Sequence, residues 1–286
     1  MNILKWAQWA VLLAATSAPF CRPVVAQGFV DVLDSPAQMS PLAQHGLLVG
    51  LASAGERLVA VGQRGHILHS DDHGRSWQQA RVPVSSDLVA VHFPTARHGW
   101  AVGHDGVVLH SADGGASWQR QFDGRQVGPV LLNHYRALAR SKPGDETVAV
   151  LVREAQRMTE EGADKPFLDV WFESERVGYI VGAFNLIFRT EDGGNSWTPW
   201  LERTDNPGAL NLYAIRPAGG ELFIAGEQGL LLKLDRSSGR FVPSPTPYAG
   251  SFFGILGTPE VALVFGLRGN VFRSVDAGAS WSQVET

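Results

Sequence analysis

The residues best equipped for chemistry in this chain are four aspartates, each set in the same frame of Ser/Thr-x-Asp-x-Gly-x-Ser-Trp. Carboxylates beside hydroxyls could act as general acids or bases. A reaction needs such a carboxylate once, however, and four copies with unchanged spacing favour a structural role. The Asp, Gly and Trp positions of the frame are Asp72, Gly74 and Trp77; Asp113, Gly115 and Trp118; Asp192, Gly194 and Trp197; and Asp276, Gly278 and Trp281.

A hairpin turn accounts for every fixed position of this frame. The carboxylate can accept hydrogen bonds from backbone N–H groups of its own turn, and glycine can adopt positive φ. The tryptophan can bury its ring between neighbouring sheets. We therefore predict that each frame closes a hairpin and that its aspartate is structural.

A sialidase-like glycoside hydrolase is the alternative that these acids keep open. Asp105 and Glu227 occupy equivalent turns, and two carboxylates about 5 to 10 Å apart suit glycosidase chemistry. A tyrosine nucleophile would be one of Tyr135, Tyr179, Tyr213 and Tyr248. Arg216 lacks the Phe-Arg-Ile-Pro surroundings of a sialidase arginine. An intermediate hypothesis is a propeller that binds glycans without hydrolysing them, and the aromatic residues Phe184 and Trp200 support it.

The histidines do not predict a metal site. Seven of the nine lie between His66 and His110, but no spacing matches a tight metal motif. His69 and His110 stand where other repeat units have Arg189 and Arg273, which indicates strand-surface residues. We expect neither a metal nor another cofactor.

The frame belongs to a longer repeated unit. Before each aspartate lie a strand ending in glycine, a short turn and a second strand, with a further apolar strand upstream. The marker aspartates, including a decayed copy at Asp235, are 41, 79, 43 and 41 residues apart, a period typical of four-stranded propeller blades. We predict an all-β fold, a β-propeller of five four-stranded blades. The blades lie at about 47–84, 87–122, 167–202, 210–243 and 251–286.

The long spacing holds an insertion at about 123–166 between blades two and three. Apolar residues recur at intervals of three and four over 130–140 and 146–158, which predicts two amphipathic helices. Residues 142–145 form the turn between them. At the other end of the propeller domain, we expect residues 29–33 to pair with the last blade and complete its outer edge.

The first 26 residues are typical of a secretory signal, with a basic residue, an apolar run and small residues before Gln27. Cleavage there would remove Cys21, the only cysteine; lipid attachment to Cys21 is the alternative, and bulky Phe20 opposes it. No later stretch approaches the ~20 apolar residues of a membrane span. The 24 basic and 28 acidic side chains create no strong positive field for nucleic acid. We expect an exported, periplasmic or lumenal, monomeric propeller over 27–286.

The four frames, with the Val-Gly-x-x-Gly units before them, resemble the photosystem II stability and assembly factor family of Asp-box, or BNR, repeat propellers. Residues 101–118 show the full unit, and the resemblance covers roughly 47–286 apart from the insertion. It implies a non-enzymatic scaffold that binds a membrane-protein subunit and helps a complex to assemble. That complex is photosystem II in oxygenic phototrophs and could be another envelope complex elsewhere. The chain departs from photosynthetic members in having five units, where they have seven blades, and in its insertion.

Strand alternation separates two faces of such a propeller. The Asp-box hairpins lie on one face, and the turns between second and third strands lie on the other, with the insertion. We call them the Asp-box face and the turn face. The turns vary in sequence on a fixed frame, as binding loops on a rigid scaffold do. The predicted partner-binding residues are Gln63, Arg64, His104, Asp105, Phe184, Asn185, Glu227, Gln228, Leu267 and Arg268.

Overall fold

Five antiparallel sheets of four strands each make up the described chain in the computed structural model, and every sheet takes its strands in chain order. The structure describes Gly28 and residues 30–285, and every contact below belongs to the unit that begins at Asp31. The predicted signal at 1–26, including Cys21, lies outside the described residues. The predicted all-β propeller with five blades is confirmed.

The strand bounds follow the repeat. Blade one comprises β1 (Leu48–Ala54), β2 (Arg57–Gly62), β3 (Ile67–Ser70) and β4 (Gln78–Gln79). Blade two comprises β5 (Leu88–His92), β6 (Gly99–Gly103), β7 (Val108–Ser111) and β8 (Gln119–Phe122). Blade three comprises β9 (Phe167–Phe172), β10 (Gly178–Gly182), β11 (Ile187–Thr190) and β12 (Thr198–Pro199). Blade four comprises β13 (Leu212–Ala218), β14 (Glu221–Gly226), β15 (Leu231–Asp235) and β16 (Arg240–Pro243). Blade five comprises β17 (Phe252–Gly257), β18 (Ala262–Gly266), β19 (Val271–Ser274) and β20 (Ser282–Val284).

The first strand of each blade lines a central channel of about 360 Å³. The second strand of blade three, Gly178–Gly182, is buried throughout because it packs between blades two and four. A buried ion pair joins blades three and four at the channel wall. Asp169 accepts hydrogen bonds from Arg216 Nη1 at 2.6 Å and from the Ile215 N–H at 2.8 Å. Burial raises the pKa of the Asp169 carboxyl, and Arg216 opposes that rise.

The predicted helical insertion is confirmed as α1 (Gly124–Ser141) and α2 (Glu146–Glu161). The first helix starts six residues earlier than predicted, at a capping box. The Asp123 carboxylate accepts a hydrogen bond from the Arg125 N–H, and the Gln126 side-chain oxygen accepts one from the Asp123 N–H. Gly128 lets the helices approach closely, since a Cβ there would lie 2.5 Å from Thr159 Cα. Neither helix of the described chain is long and apolar enough to cross a membrane.

The predicted pairing of residues 29–33 with the last blade is wrong for the described residues, because residues 30–33 belong to no strand; Phe29 itself is outside the description. The segment binds between blades one and two instead. Ser85 N–H donates to Val32 O at 2.8 Å, and Ala37 N–H donates to Val82 O at 3.1 Å. Leu33 is 1% exposed in the core shared by these blades, a burial that contributes about 2 kcal/mol.

Candidate functional site

The five turns of the turn face share one backbone conformation. Their second residues all adopt the left-handed region, with φ between 52° and 63°. These residues are Arg64, Asp105, Phe184, Gln228 and Arg268. A non-glycine residue pays about 1 kcal/mol for this conformation, so the strand frame on either side of the turn must impose it. The turns therefore differ in their side chains alone, as the sequence predicted for a fixed frame.

Exposure divides the ten predicted partner-binding residues into three groups. The exposed residues are Arg64, His104, Phe184, Gln228, Leu267 and Arg268. The half-buried residues are Gln63, Asp105 and Glu227. Asn185 is buried at 7% exposure. The first group can contact a partner directly, and the last cannot.

Glu227 and Asn185 have internal roles that the sequence did not reveal. The Glu227 carboxylate accepts a hydrogen bond from the Asn211 N–H at 2.8 Å and another from the Tyr213 hydroxyl at 3.3 Å. Asn185 stands where the other four turns have glycine, and its φ is 59°. Asn185 Oδ1 accepts from Thr204 Oγ1 and Asn206 Nδ2, both at 3.0 Å, so it fixes the linker between blades three and four.

This linker and the insertion form a groove on the turn face that the sequence did not predict. The groove has a volume of about 640 Å³. Helix α2 forms one wall, and the turn of blade three with linker residues 201–209 forms the other. The apolar residues that line it are Val150, Leu151, Met158, Phe184, Leu201, Pro207 and Ala209. Two of them remain largely exposed, Val150 at 45% and Phe184 at 47%.

The charged groups around the groove are already paired. Arg157 Nη2 contacts Glu154 at 2.5 Å, and Arg157 Nη1 contacts Glu161 at 3.2 Å. Arg240 donates to Asp205 Oδ1 and to the Glu202 carbonyl, both at 2.7 Å. Because these arginines are neutralised, the capacity left for a ligand is apolar.

A cation–π contact joins the end of the insertion to the turn of blade three. Lys165 Nζ lies 5.6 Å from the centre of the Phe184 ring. The same ammonium contacts Glu161 at 2.7 Å and Asp164 at 2.6 Å. Burial alone would lower the pKa of Lys165, but the two carboxylates raise it. The charged Lys165 ammonium thus helps to hold the Phe184 ring at the groove.

The Asp-boxes contain the same hydrogen-bond network in four blades. In blade one, Asp72 Oδ1 accepts from the Ser76 N–H and Asp72 Oδ2 accepts from Ser76 Oγ, at 2.8 and 2.6 Å. The Ser70 hydroxyl donates to Asp72 and accepts from the Gly74 N–H. These hydrogen bonds lower the pKa of Asp72 to about 2, which keeps the carboxylate ionised and unsuited to general acid catalysis near neutral pH. The corresponding networks are centred on Asp113, Asp192 and Asp276.

Tyrosine and glutamate side chains meet in two places among the described residues, Tyr213 with Glu227 and Tyr135 with Glu202, and the second pair is buried. Tyr135 donates its hydroxyl to Glu202 Oε2 at 2.9 Å, and Tyr135 is 0% exposed. Burial, with the Glu202 charge, raises the pKa of Tyr135, whereas a nucleophile needs a lowered pKa and access to substrate. Burial would also raise the pKa of Glu202, but the His134 ring 3.9 Å away and hydrogen bonds from its own backbone and Tyr135 lower it. This pair locks α1 onto the linker.

His69 and His110, from the first two blades, pack into the fold. His69, predicted at the strand surface, is 8% exposed because it faces blade two, and burial lowers its pKa. His110 stacks between Trp100 and His98, at ring distances of 4.7 and 5.4 Å. Within residues 30–285, no three histidine, aspartate or glutamate side chains gather as metal ligands.

Comparison with protein families gives one match over most of the chain. The profile of the family described as "Photosynthesis system II assembly factor YCF48" matches residues 71–133 and 150–286. A curated relative, "Photosystem II assembly lipoprotein Ycf48" of Synechococcus sp. (strain CC9902), is 29% identical over 118 residues. That alignment covers 40% of this chain and 35% of the relative, so it spans about a third of the relative's length.

Several solved structures are similar to this chain at low sequence identity. A GH74 enzyme from Niastella koreensis has a TM-score of 0.58 at 15% identity, over 82% of this chain and 38% of the enzyme. A structure of YCF48 bound to a D1 peptide has a TM-score of 0.49 at 14% identity, over 82% of this chain and 81% of its own. YCF48 from Cyanidioschyzon merolae has a TM-score of 0.47 at 14% identity, over 87% and 88%. The likeness to the GH74 enzyme indicates a propeller fold and nothing about activity.

Proposed function

This chain belongs to the YCF48 family of photosystem II assembly factors, and from that premise we propose that it is an exported, non-enzymatic scaffold. We propose that it binds a segment of a membrane-protein subunit and supports assembly of the complex that contains it. In an oxygenic phototroph the client is a photosystem II subunit. In another host it is a subunit of a different envelope complex.

The observation that carries this proposal is the apolar groove on the turn face. Its two walls come from separate parts of the chain, α2 and the linker after blade three. Hydrogen bonds from Thr204 and Asn206 to Asn185 Oδ1 hold the linker, and the contact of Tyr135 with Glu202 holds the helix pair against it. A groove held open in this way loses little entropy when a ligand enters.

The ligand that suits the groove is an apolar peptide segment. Val150 and Phe184 lie on opposite walls of the groove, and each residue is about half exposed. Covering such a side chain contributes about 1 kcal/mol or more. The neighbouring arginines are paired with carboxylates, so the groove has no spare charge for an anionic or cationic ligand. A segment with aliphatic or aromatic side chains would complete it.

Site-specific photo-crosslinking in intact cells tests this assignment. A photoreactive phenylalanine analogue replaces Phe184, and a matched variant carries it at Val275, which is 62% exposed on the Asp-box face. We expect a crosslink from position 184 to a subunit of one membrane complex, identified by mass spectrometry, and none from position 275. Crosslinks to that subunit from position 275 alone would contradict the assignment of the turn face.

The turns beyond the groove define how far the binding surface extends. Arg64, His104 and Arg268 are exposed, so their joint replacement by alanine should weaken capture of the crosslinked subunit and leave the melting temperature nearly unchanged. Glu227 is unsuitable for this test because its carboxylate binds Asn211 and Tyr213. Unchanged capture would restrict the partner-binding surface to the groove.

Export has a direct measurement. Cleavage before Gln27 yields a mature chain without cysteine, whereas lipid attachment would leave Cys21 as the first residue. The intact mass of the protein recovered from the envelope distinguishes these outcomes. We propose cleavage before Gln27, with lipid attachment as the alternative.

A further inference from the structure

The apolar residues of the groove follow the length of helix α2. Val150, Leu151 and Met158 lie on the wall that α2 forms. Val150 and Met158 are separated by about 12 Å along the helix axis, at 1.5 Å for each residue. Phe184 and Ala209 lie on the opposite wall. A ligand that covers both walls therefore needs apolar side chains spread over about two helical turns.

The backbone of the groove walls is already hydrogen-bonded within the chain. On one wall it belongs to helix α2. On the other, the Asp205 N–H donates to Phe241 O at 3.0 Å, and linker residues 205–209 form no strand. The Ala209 N–H donates to Asn206 O at 3.1 Å, and a proline has no N–H to offer at position 207. This wall therefore gives a ligand no strand edge with which to pair.

The conformation of the ligand follows from these occupied backbone groups. An extended segment would lie against apolar side chains with its own N–H and C=O groups unpaired, which is unfavourable. An α-helix satisfies its backbone internally and presents the side chains at i, i+3 or i+4, and i+7 as one stripe. A helix laid along an apolar groove is a known mode of peptide recognition. The groove is therefore suited to a helix.

A smaller cavity of about 280 Å³ adjoins the groove, and we call it the basic pocket. Glu202 and Arg240 line both cavities. Besides Arg240, the basic side chains that line the pocket are Lys142, from the end of α1, and Arg203, from the linker. A ligand that leaves the groove past Glu202 and Arg240 enters this pocket.

The basic pocket retains positive charge that the groove lacks. Arg240 is neutralised by Asp205 at 2.7 Å. Lys142 is exposed and forms no ion pair among residues 30–285. Arg203 is also exposed, and its Nε lies 3.5 Å from Glu202, whose other oxygen accepts from the buried Tyr135 hydroxyl. An acidic side chain complements the charge of this pocket.

We propose that the groove binds an amphipathic α-helix of the client subunit. The apolar stripe of this helix packs between α2 and the linker, and an acidic residue about one turn beyond the stripe enters the basic pocket. This inference rests on the proposed function for the source of the helix. The shape and charge of the site determine its chemistry.

Peptide display tests the conformation and the charge of the ligand before the client is known. A phage library of random peptides of about 16 residues, or about four helical turns, is selected on the purified protein. Val150→Asp, a change at an exposed groove residue, serves for depletion, so that only groove-binding peptides remain. We expect apolar residues at i, i+3 or i+4, and i+7, followed by Asp or Glu. Apolar residues at alternate positions, no acidic preference, or no enrichment would overturn the proposal.

Fluorescence anisotropy of one enriched peptide measures the contribution of each surface. Ala209→Asp places a charge on the linker wall, at a positive φ that aspartate tolerates, and should raise the dissociation constant at least about tenfold. Lys142→Glu should raise it about fivefold, and changing the acidic residue of the peptide to lysine should restore binding to this variant.

Arg153→Glu is the matched control for the charge reversal. Arg153 is an exposed residue of α2 that lines neither cavity, so this variant should bind the peptide like wild type. Circular dichroism establishes that the variants fold. Equal weakening by Lys142→Glu and Arg153→Glu would contradict the assignment of the basic pocket, because the net charge of the insertion would then explain both.

Failure of this inference differs from failure of the proposed function. A client crosslink from position 184 together with extended selected peptides would refute the helix and keep the client. Selected helices that bind in the groove, without a client crosslink in cells, would refute the function and keep the helix site. A wild-type dimer that Val150→Asp converts to a monomer in sedimentation velocity would assign the groove to a second copy and overturn the proposal.

Discussion

Replacing Asn185 by glycine should separate the two functions of this residue, its backbone conformation and its side-chain hydrogen bonds. Glycine adopts the observed φ of 59° without strain. The loss therefore falls on the hydrogen bonds, in which Asn185 accepts from Thr204 and Asn206 and donates to the Leu201 carbonyl. The perturbation isolates the network that fixes one wall of the groove.

The magnitude follows from how many partners lose their only bond. Thr204 Oγ1 still has the Leu201 carbonyl at 2.8 Å, and Asn206 Nδ2 still has the Leu210 carbonyl at 2.9 Å. No partner is left fully unsatisfied, so each lost bond costs about 1 kcal/mol rather than a full desolvation penalty. We expect Asn185→Gly to lower the free energy of unfolding by about 2 to 3 kcal/mol. Asn185→Ala should cost about 1 kcal/mol more because alanine is strained at positive φ.

Urea denaturation of wild type, Asn185→Gly and the control Gln228→Gly measures these differences. Gln228 lies in the turn of blade four, directly before Gly229, the glycine that corresponds to Asn185. Its φ is 52°, and its side chain is exposed. Its replacement by glycine relieves backbone strain and removes no buried bond, so stability should change by less than about 0.5 kcal/mol. If Asn185→Gly is as mild as Gln228→Gly, the buried network does not hold the linker and the argument for a rigid groove fails.

Three further measurements test the packing that supports the blades. Asp72 has a pKa of about 2 in the fold, below the value of about 3.9 in an unfolded chain, so its contribution is present above pH 4 and lost as pH falls towards 2. The melting temperature of Asp72→Asn should thus lie below that of wild type at pH 7, and the difference should shrink at pH 2. Trp118 Nε1 donates to Gly115 O at 3.0 Å, whereas Trp197 Nε1 is buried without a hydrogen-bond partner. In chemical denaturation, Trp118→Phe should therefore lower the free energy of unfolding by about 1 kcal/mol more than Trp197→Phe does, and equal losses would contradict this. Arg216→Met leaves buried Asp169 without its cation and should cost about 3 kcal/mol, against less than about 1 kcal/mol for Arg157→Met in an exposed pair. Similar melting temperatures for these two variants would show that the Asp169 pair is not structurally important.

The helical insertion shows how far sequence patterns reach. Apolar spacing found both helices, but α1 was predicted to begin at residue 130 and begins at Gly124. Gly128 and Pro129 argued locally against a helix. Gly128 is tolerated because its missing side chain lets Thr159 of α2 approach, and this contact exists only in the packed helix pair. Local propensity was overridden by packing.

The groove was missed for a related reason. Its residues come from α2, the turn of blade three and linker 201–209, which are separate in sequence. The available signals were Asn185 at a glycine position and Val150 on the polar side of an amphipathic helix. Neither residue identifies its neighbour across the groove, because no repeat relates the insertion to the linker.

The sequence by itself determined the blade, because each Asp-box and each strand pairs with residues within about forty positions and the pattern recurs. Only the tertiary structure determined which segments pack against the edges of the blades. The binding of residues 31–37 between blades one and two and the groove beside α2 both depend on contacts between distant segments. Such contacts leave no period in the chain, since each occurs once.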